Sequence, residues 1–390
     1  MRILFVTNPG LGHLLPLLPL AITARDADHE VAVGAGTSIG AVVKAAGLRL
    51  VPMGPPDIRS LAAGIPELQS VKGPDRPALM WPMVFAGILA ESLAAGVLEL
   101  ARSWSPDLVV HEDSEQGSWI AAEHLGIPHV TVQATAWRVD LQRLAREPLN
   151  RLRAAHGLAP DPDLKLMYQY RYLTTRPPAL LDPGSLLPAT AEALRPMAMD
   201  DVAETSRPSW LDHATPGQRR LCVTLGTANA DRLDLLQPTI AGLAQLDGDP
   251  EVVVTVGSQG DPSALGDLPP RFHVVRYVPM SRLLPTCDLA VFHGGSGTML
   301  AALAAGVPLV IVPIAADQHD NAERCQSAGV AQVLSADGLT AESVREAAAE
   351  VLGDPSYRVA AATVRDQIAE MPPPAKVLAD LERLVANGQN

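Results

Sequence analysis

The chain has 390 residues, of which 47% are hydrophobic and 19% charged, a composition typical of a folded globular protein and not of a disordered one. This length exceeds what a single hydrophobic core usually supports, so two domains of about 180 residues each are expected. A net charge of −13, with no run of Lys or Arg, argues against nucleic acid or an anionic membrane surface as a partner.

Cysteine usage and the apolar segments bear on the compartment. The cysteines are far apart and form no Cys-x-x-Cys pair, which favours a reduced, cytoplasmic protein; they are Cys222, Cys287 and Cys325. The apolar run at the N-terminus ends at Asn8, too early for a signal peptide. Only 299–316 approaches membrane-spanning length, and its glycine and prolines predict a short helix followed by a buried strand.

The first half alternates strands and helices from its start. Strands are predicted at "RILFVT", "HEVAVGAG", "LRLVPMG", "PDLVVHED" and "IPHVTVQA". Helices are predicted between them, the longest at about 78–104. The continuous apolar character of these strands is typical of a parallel sheet covered on both faces. From Trp137 to about Asp201 the pattern is irregular and helical, which predicts a variable segment that lines a site.

A polar stretch broken by prolines at 207–219 predicts a linker between two domains, 1–206 and 220–373. The alternation begins again after it, with strands predicted at "LCVTLGT", "EVVVTVG", "HVVRYVP", "LAVFHGG" and "PLVIVPI". The chain is therefore predicted to be an α/β protein with two doubly wound, Rossmann-like domains. Ten of its fourteen aromatic residues precede Leu211, so an apolar ligand is expected in the first half.

Ligands of such sheets bind beyond the carboxyl ends of strands, near helix N-termini. The loop "NPGLGH" after the first strand lacks the third small residue of a dinucleotide fingerprint, and no P-loop sequence occurs. "TLGTAN" and "HGGSGT" follow strands of the second half, and the glycines of the latter would let the backbone approach an anion. After the next strand comes "ADQHDNA", whose polar groups suit a polyhydroxylated group attached to a phosphate.

These motifs carry a family resemblance. "NPGLGHLLPLLPLA", "PDLVVHE", "VTLGT" and "HGGSGTMLAALAAGVPLVIVPIAADQHDNAERC" resemble inverting GT-B nucleotide-sugar glycosyltransferases, most closely the bacterial enzymes of polyketide, macrolide and enediyne antibiotic biosynthesis that use dTDP-deoxysugars. The resemblance implies an acceptor-binding N-terminal domain and a donor-binding C-terminal domain that face each other across a cleft. It also implies that the last helix, about 374–390, packs back on the first domain.

The resemblance assigns the catalytic base to His13 and its carboxylate partner to Glu112. A histidine just before the first helix titrates near neutrality and can take a proton from an acceptor hydroxyl. Where the family pattern has Asp, this chain has Glu112, followed by Asp113, so Asp113 stays open as the alternative partner.

The resemblance also implies a donor site in the second half. The residues expected to bind the diphosphate and the sugar are Thr227, His293, Gly295, Ser296, Gly297, Thr298, Asp317 and Gln318. Asn321 is either a further ligand or a structural cap. Backbone groups near Val278 and Met280 are expected to bind the base, although relatives often carry Gln at the position of Met280.

The implied reaction is metal-independent transfer of a deoxysugar from a dTDP-sugar to a hydroxyl of an apolar aglycone, with inversion and without a cofactor. Three Asp-x-Asp sequences occur in polar helix ends or loops and are interpreted as solvated turns; they begin at Asp26, Asp161 and Asp247. The candidates for the acceptor pocket are Trp81, Trp119, Trp137 and Tyr168. The oligomeric state is left open, and a homodimer is compatible with the sequence.

Three other classes of protein share some of these motifs. "GTSIG" around Ser38 fits a hydrolase nucleophile motif, but the histidine-glycine loop follows it in the chain and does not precede it, as that fold requires. A nucleotide-sugar epimerase would share the architecture without needing an apolar second substrate. A non-catalytic nucleotide-sugar-binding partner protein would keep the loops of the second half and lose His13.

Overall fold

The computed structural model describes residues 1–71, 76–136, 139–181, 184, 187–199, 208–212, 217–226, 232–257 and 260–388. They form two units. Unit 1 comprises Met1–Thr175, Gly184–Arg195 and Met371–Asn390, and unit 2 comprises Arg176–Pro183 and Pro196–Glu370. The predicted α/β class with two doubly wound domains is confirmed. The predicted first domain, 1–206, differs from unit 1 in that Arg176–Pro183 and Pro196–Glu370 belong to unit 2.

Within its described residues, unit 1 contains a parallel sheet of seven strands in the order β3-β2-β1-β4-β5-β6-β7. The strands are β1 (Arg2–Val6), β2 (Glu30–Ala35), β3 (Arg49–Pro52), β4 (Leu108–Glu112), β5 (His129–Val132), β6 (Arg171–Thr174) and β7 (Ala191–Ala193). β1 and β4 are direct neighbours, and Val6 pairs with His111. The ends of these two strands therefore bring the loops after them together.

Helices of unit 1 lie between these strands in the chain. They are α1 (Leu11–Leu14), α2 (Leu18–Asp26), α3 (Gly40–Ala45), α4 (Ile58–Ala63), α5 (Pro66–Gln69), α6 (Arg76–Met80), α7 (Ala90–Ala101), α8 (Ser118–Leu125) and α9 (Val139–Ala155), with a π-helical segment at Trp81–Leu89. The prediction of one long helix at 78–104 is thus correct in extent, but the helix widens where Pro82 lacks a backbone donor.

The stretch Arg76–Ala101 is the one helical stretch of the described chain that has the length and composition to span a membrane. Its Val84, Leu89, Leu93 and Val97 are fully buried in the core of unit 1, as expected of a core helix. Segment 299–316, the only one predicted from the sequence to approach this length, divides into a helix and a strand, as predicted.

Strands β6 and β7 were missed by the sequence analysis, which described Trp137–Asp201 as irregular and helical. β6 has only four residues, and β7 has the sequence Ala-Glu-Ala, which lacks the β-branched and aromatic residues typical of strands. Both extend an existing sheet edge, where the pairing of β6 with β5 and of β7 with β6 supplies what their own sequences do not.

Unit 2 repeats this architecture. Its strands are β8 (Arg220–Thr224), β9 (Glu251–Thr255), β10 (Phe272–Val275), β11 (Leu289–Phe292), β12 (Leu309–Ile311) and β13 (Ala331–Val333), arranged in parallel in the order β10-β9-β8-β11-β12-β13. Its helices are α10 (Leu233–Leu243), α11 (Met280–Leu283), α12 (Ser296–Ala304), α13 (Gln318–Ser327), α14 (Ala341–Gly353) and α15 (Pro355–Glu370). All five predicted strands are present, and β13 is an addition at the edge.

The last helix, α16 (Pro374–Gly388), belongs to unit 1 and packs against α2. His29 Nε2 lies 2.8 Å from Glu382 Oε1, and the backbone N–H of Arg195 donates to the carbonyl of Pro372 at 2.9 Å. The end of the chain is therefore part of the first unit.

Candidate active site

The first candidate site lies at the carboxyl ends of β1 and β4, from which the strand order of unit 1 runs outward in both directions. Ligands of open α/β sheets bind at such switch points. His13 lies within α1, not just before the first helix as predicted, and Glu112 ends β4. His13 Nδ1 is 3.2 Å from Glu112 Oε1. The sheet thus brings together two residues that are almost a hundred positions apart in the chain.

Two polar residues that the sequence analysis did not single out complete this arrangement. Ser114 Oγ lies 3.0 Å from His13 Nδ1 and donates to Glu112 Oε2 at 2.7 Å. The side-chain amide of Asn8 donates to Glu112 Oε1 at 3.0 Å and to Ser114 Oγ at 3.1 Å. Both oxygens of Glu112 accept hydrogen bonds, so the carboxylate is held in one orientation toward the imidazole.

Asp113, the alternative partner of His13, makes different contacts. Its Oδ1 accepts hydrogen bonds from the backbone N–H groups of Ala134 and Thr135 at 3.1 and 3.3 Å, and from Thr135 Oγ1 at 3.2 Å. These bonds anchor the loop after β5. The structure therefore brings His13 together with Glu112, while Asp113 serves the neighbouring loop.

Three carboxylates are buried in the loop after β4, and their pKa values differ. Burial would raise the pKa of Glu112, but the charge of His13 and the hydrogen bonds from His13 and Ser114 outweigh it and lower the pKa. Burial, together with the charge of Glu112, raises the pKa of Asp113 to about 8. Burial raises the pKa of Glu115 to about 7 despite its hydrogen bonds to the start of α8. Of these three carboxylates, only Glu112 has a lowered pKa, so it is the one held in its ionised form beside His13.

An aromatic surface lies beside His13. The ring centroids of His13 and Phe85 are 6.0 Å apart, and those of Phe85 and Trp81 are 5.3 Å apart. The π-helical segment presents both aromatic rings, and Trp81 Nε1 is a buried donor for which the described structure contains no acceptor. Trp81 is thus connected to His13 through Phe85, which the sequence analysis missed.

The other acceptor candidates lie elsewhere. Trp119 is fully buried in α8, with the guanidinium of Arg153 5.1 Å from its ring, so it has no surface to offer an acceptor. Tyr168 is 7% exposed and packs edge-on against Tyr172, with ring centroids 5.5 Å apart. Trp137 lies outside the described residues. The aromatic residues of the first half are therefore shared between the core and the neighbourhood of His13.

The second candidate site lies at the equivalent switch point of unit 2, after β8 and β11. The glycine loop follows β11 directly, and α12 begins at Ser296. The N-cap position is Gly295, so no side chain caps this helix. The first helical hydrogen bond is donated by Met299, so the N–H groups of Ser296, Gly297 and Thr298 precede the hydrogen-bonded turns. Such a helix start attracts an anion, because its first N–H groups are free to donate hydrogen bonds and the helix dipole places partial positive charge there.

His293 lies in this loop with its ring between two glycines. A Cβ at Gly226 would come within 2.6 Å of its Cε1, and a Cβ at Gly295 within 2.5 Å of its Nε2. Burial lowers the pKa of His293 to about 4, although the charge of Asp317 and a backbone hydrogen bond to Thr224 favour the charged form. Its ring is therefore neutral at pH 7 and can serve as a hydrogen-bonding group, not as a cation.

The polar residues after β12 contact the glycine loop. Asp317 Oδ2 accepts a hydrogen bond from Ser296 Oγ at 2.8 Å, and the amide of Asn321 donates to the carbonyl of Gly294 at 2.8 Å. Gln318 Oε1 instead accepts from the backbone N–H groups of Ile314 and Ala315, at 2.8 and 3.0 Å, and closes its own loop. Asp317 and Asn321 are thus tied to the residues predicted to bind the diphosphate.

The remaining donor candidates lie near the start of α11 or outside the described residues. Val278 is fully buried just before this short helix, and Met280 is its first residue. Thr227 lies outside the described residues, and the loop that contains it is described only up to Gly226. In the part of the chain that the structure describes, no three His, Cys, Asp or Glu side chains are grouped so that they could hold a metal ion.

Arg176 is a functional candidate that no sequence motif predicted. It is 6% exposed, and its Nη2 donates to Ser296 Oγ and to Asn321 Oδ1, both at 2.8 Å. It follows β6 in the chain but belongs to unit 2. Its partners are 120 and 145 residues away, so no local motif could have indicated it.

Comparison with known proteins identifies the family. Residues 77–226 match the family model described as the N-terminal domain of erythromycin biosynthesis protein CIII-like proteins, and residues 237–384 match the model of their C-terminal domain. Over 99% of both chains, the sequence is 32% identical to 3-alpha-mycarosylerythronolide B desosaminyl transferase of Saccharopolyspora erythraea.

Solved structures agree. The glycosyltransferase SnogD from Streptomyces nogalater is 34% identical over 99% of both chains, with a TM-score of 0.76. VinC, solved in complex with dTDP, is 27% identical over 99% of this chain and 100% of its own, with a TM-score of 0.80. Spinosyn rhamnosyltransferase SpnG, solved with spinosyn aglycone, is 26% identical over 98% of this chain and 100% of its own, with a TM-score of 0.81. The predicted GT-B fold is confirmed, and the chain belongs to the EryCIII-like family of natural-product glycosyltransferases.

Proposed function

We propose that this protein transfers a deoxysugar from a dTDP-sugar to a hydroxyl group of an apolar natural-product aglycone, with inversion at the anomeric carbon. The observation that carries the proposal is the pairing of His13 Nδ1 with Glu112 Oε1 at 3.2 Å, at the switch point of unit 1. A protein that only bound a nucleotide sugar would have no need of this pair.

The chemistry of the base follows from its contacts. A neutral imidazole that donates its Nδ1–H to Glu112 carries its basic lone pair on Nε2. Nε2 would take the proton from the acceptor hydroxyl while the hydroxyl oxygen forms a bond to the anomeric carbon and the bond to the diphosphate breaks. Glu112 would then stabilise the imidazolium, as a carboxylate beside a histidine base does in other enzymes.

The donor site is supported by unit 2. The diphosphate gains negative charge as it leaves, and the N–H groups at the start of α12 are fixed dipoles able to stabilise that charge without a metal ion. Ser296, Gly297 and Thr298 would contact the phosphates, and His293 would donate a hydrogen bond to them. Asp317 and Gln318 would bind sugar hydroxyls. The structures of relatives with thymidine diphosphate support a thymidine nucleotide over other donors.

The acceptor is proposed to be an apolar, ring-containing aglycone, because Trp81 and Phe85 present an aromatic surface beside His13. The SpnG complex with its aglycone supports a substrate of this class. We further propose that the enzyme works in the cytoplasm, where nucleotide sugars are made, and requires neither cofactor nor metal. EDTA is therefore expected to leave transfer unchanged.

The test has two steps. Thermal unfolding is first measured with dTDP, UDP and GDP, because a ligand at about 100 times its Kd adds about 2.7 kcal/mol of stability. We expect the largest increase in melting temperature with dTDP. A dTDP-α-deoxysugar is then incubated with a panel of polyketide aglycones, and the product is expected to carry a β-linked sugar by NMR. Stabilisation by none of the nucleotides would contradict the donor site, and an α-linked product would contradict inversion.

A further inference from the structure

Arg176 occupies an unusual place for its position in the chain. It follows β6, the sixth strand of the sheet of unit 1, in the short sequence "TTRPP", yet it begins the segment that the fold assigns to unit 2. Its side chain is 6% exposed. A buried guanidinium is costly unless its N–H groups are hydrogen-bonded, so its partners indicate what it does.

Those partners lie on the two segments predicted to bind the donor. Nη2 donates to Ser296 Oγ, at the start of α12, and to Asn321 Oδ1 on α13, both at 2.8 Å. Asp317 Oδ2 lies 3.8 Å from the same nitrogen, and Nη1 lies 3.6 Å from the sulfur of Met299. One planar group thus joins the helix after β11 to the helix after β12.

The partners of Arg176 are joined to one another as well. Ser296 Oγ donates to Asp317 Oδ2 at 2.8 Å, and the Asn321 amide lies 3.1 Å from Ser296 Oγ and 3.2 Å from Asp317 Oδ2. The same amide donates to the carbonyl of Gly294, whose φ of 87° turns the glycine loop. The network therefore extends from Arg176 to the backbone of the loop itself.

We propose that Arg176 is a positioning residue for the donor: it holds the glycine loop and the carboxylate of Asp317 in the arrangement that binds a nucleoside diphosphate sugar. The inference rests on the proposed function, since it takes the start of α12 as the diphosphate site. The cation near this helix start also adds to the positive potential that an anion would meet there.

Both bonds are donated by the two hydrogens of Nη2, whose directions the planar guanidinium fixes. A lysine keeps the charge, but its side chain is one bond shorter and its ammonium group rotates freely, so it does not hold both acceptors in one fixed orientation. Arg176→Lys therefore separates the positioning role from the charge. Arg220→Lys is the matched control, because Arg220 is 3% exposed in the same unit and bonds Glu251 and Thr286 at 2.6 and 2.9 Å, away from the glycine loop.

The experiment compares the Kd values of dTDP and thymidine for the wild type and both variants by titration. Thymidine lacks the phosphates, so a general weakening of the fold should affect both ligands. We expect Arg176→Lys to weaken dTDP binding by about 10-fold while leaving thymidine binding nearly unchanged, and Arg220→Lys to alter neither. Arg176→Met is measured in parallel, so that the test holds if the lysine variant fails to fold.

The possible results are distinct. Wild-type dTDP affinity in a folded Arg176 variant would overturn the inference, as would an equal loss of affinity for dTDP and thymidine, because the latter indicates a merely structural role. If the wild type itself does not bind dTDP, the proposed donor site is wrong and this inference is wrong with it. A loss confined to dTDP in the Arg176 variants supports both.

Discussion

The loop after β4 in unit 1 and the loop after β11 in unit 2 follow equivalent strands of two sheets with the same strand order around the switch point. The first contains three buried carboxylates, Glu112, Asp113 and Glu115, and the ionised Glu112 would repel an anion. The second contains glycines, a neutral His293 and the uncapped start of α12, and would attract one. The same topological position can therefore serve to activate a base or to bind a leaving group, depending on which side chains follow the strand.

Among the variants that test this difference between the two loops, the one that lacks the base should lose the most activity. His13→Ala is expected to lower kcat by about 10³-fold, because general base catalysis contributes roughly that much, and to leave the Kd of dTDP unchanged, because the donor site is on unit 2. The control is His124→Ala, since His124 is an exposed histidine on α8 of the same unit. Sugar transfer and dTDP titration are measured for both variants. Normal transfer by His13→Ala would remove the base assignment.

Replacing Glu112, the partner of the base, should cause the next largest loss of activity. Glu112→Gln is expected to lower kcat by about 100-fold, because an amide cannot stabilise the imidazolium and can impose the wrong tautomer on His13. Asp113→Asn should leave activity close to wild type at pH 7, because the pKa of Asp113 is raised to about 8 and its side chain is already neutral there. Transfer assays on the two variants show which of the two carboxylates is the partner of His13. The opposite order of effects would make Asp113 the partner.

The glycine loop offers a smaller, steric test in unit 2. Gly295 has φ −65° and ψ 137°, which any residue can adopt, but a Cβ there would lie 2.5 Å from His293 Nε2. Gly295→Ala is expected to displace the His293 ring and to weaken dTDP binding by about 10-fold. Gly353→Ala, where a Cβ meets nothing within 4 Å, is the control. Unchanged dTDP affinity in Gly295→Ala would show that the close packing of His293 is not needed for donor binding.

The sequence predicted unit 2 better than unit 1 for a physical reason. In unit 2 the glycines, the helix start and Asp317 lie in one continuous stretch, so their proximity follows from a single β-α-β unit. In unit 1, His13 and Glu112 meet only because β1 pairs with β4, and their assignment came from the family resemblance. Asn8 and Ser114 were missed because a small polar residue after a strand has no distinctive pattern.

Other features depend on contacts that a local pattern does not contain. β6 and β7 are strands because a sheet edge was available to them. Trp119 was named for the acceptor pocket as one of the aromatic residues of the first half, but periodicity could not show that α8 is buried on several sides. Arg176 donates a hydrogen bond to Ser296, which is 120 residues away in the chain. Local patterning thus gave the order of elements, while long-range packing decided which polar residues meet.

The smallest expected effect is on stability, and it again separates the two loops. A folded Asp113 with its pKa raised to about 8 keeps a proton that the unfolded chain has already released at pH 6, so raising the pH to 8 lowers the free energy of unfolding of unit 1. Glu115, with its pKa raised to about 7, acts in the same direction at lower pH.

The titration of His293 affects unit 2 in the opposite direction. Because its pKa is lowered to about 4, its contribution to the free energy of unfolding of unit 2 rises with pH up to the ordinary histidine range and is constant above it. Hydrogen exchange measured from pH 6 to 8, below the range in which the buried cysteines of unit 2 contribute, and corrected for the intrinsic exchange rate, should therefore show unit 1 losing protection while unit 2 keeps it, and Asp113→Asn should remove most of the loss. Equal losses in both units, or a pH dependence unchanged in Asp113→Asn, would mean that the acidic loop is not the source.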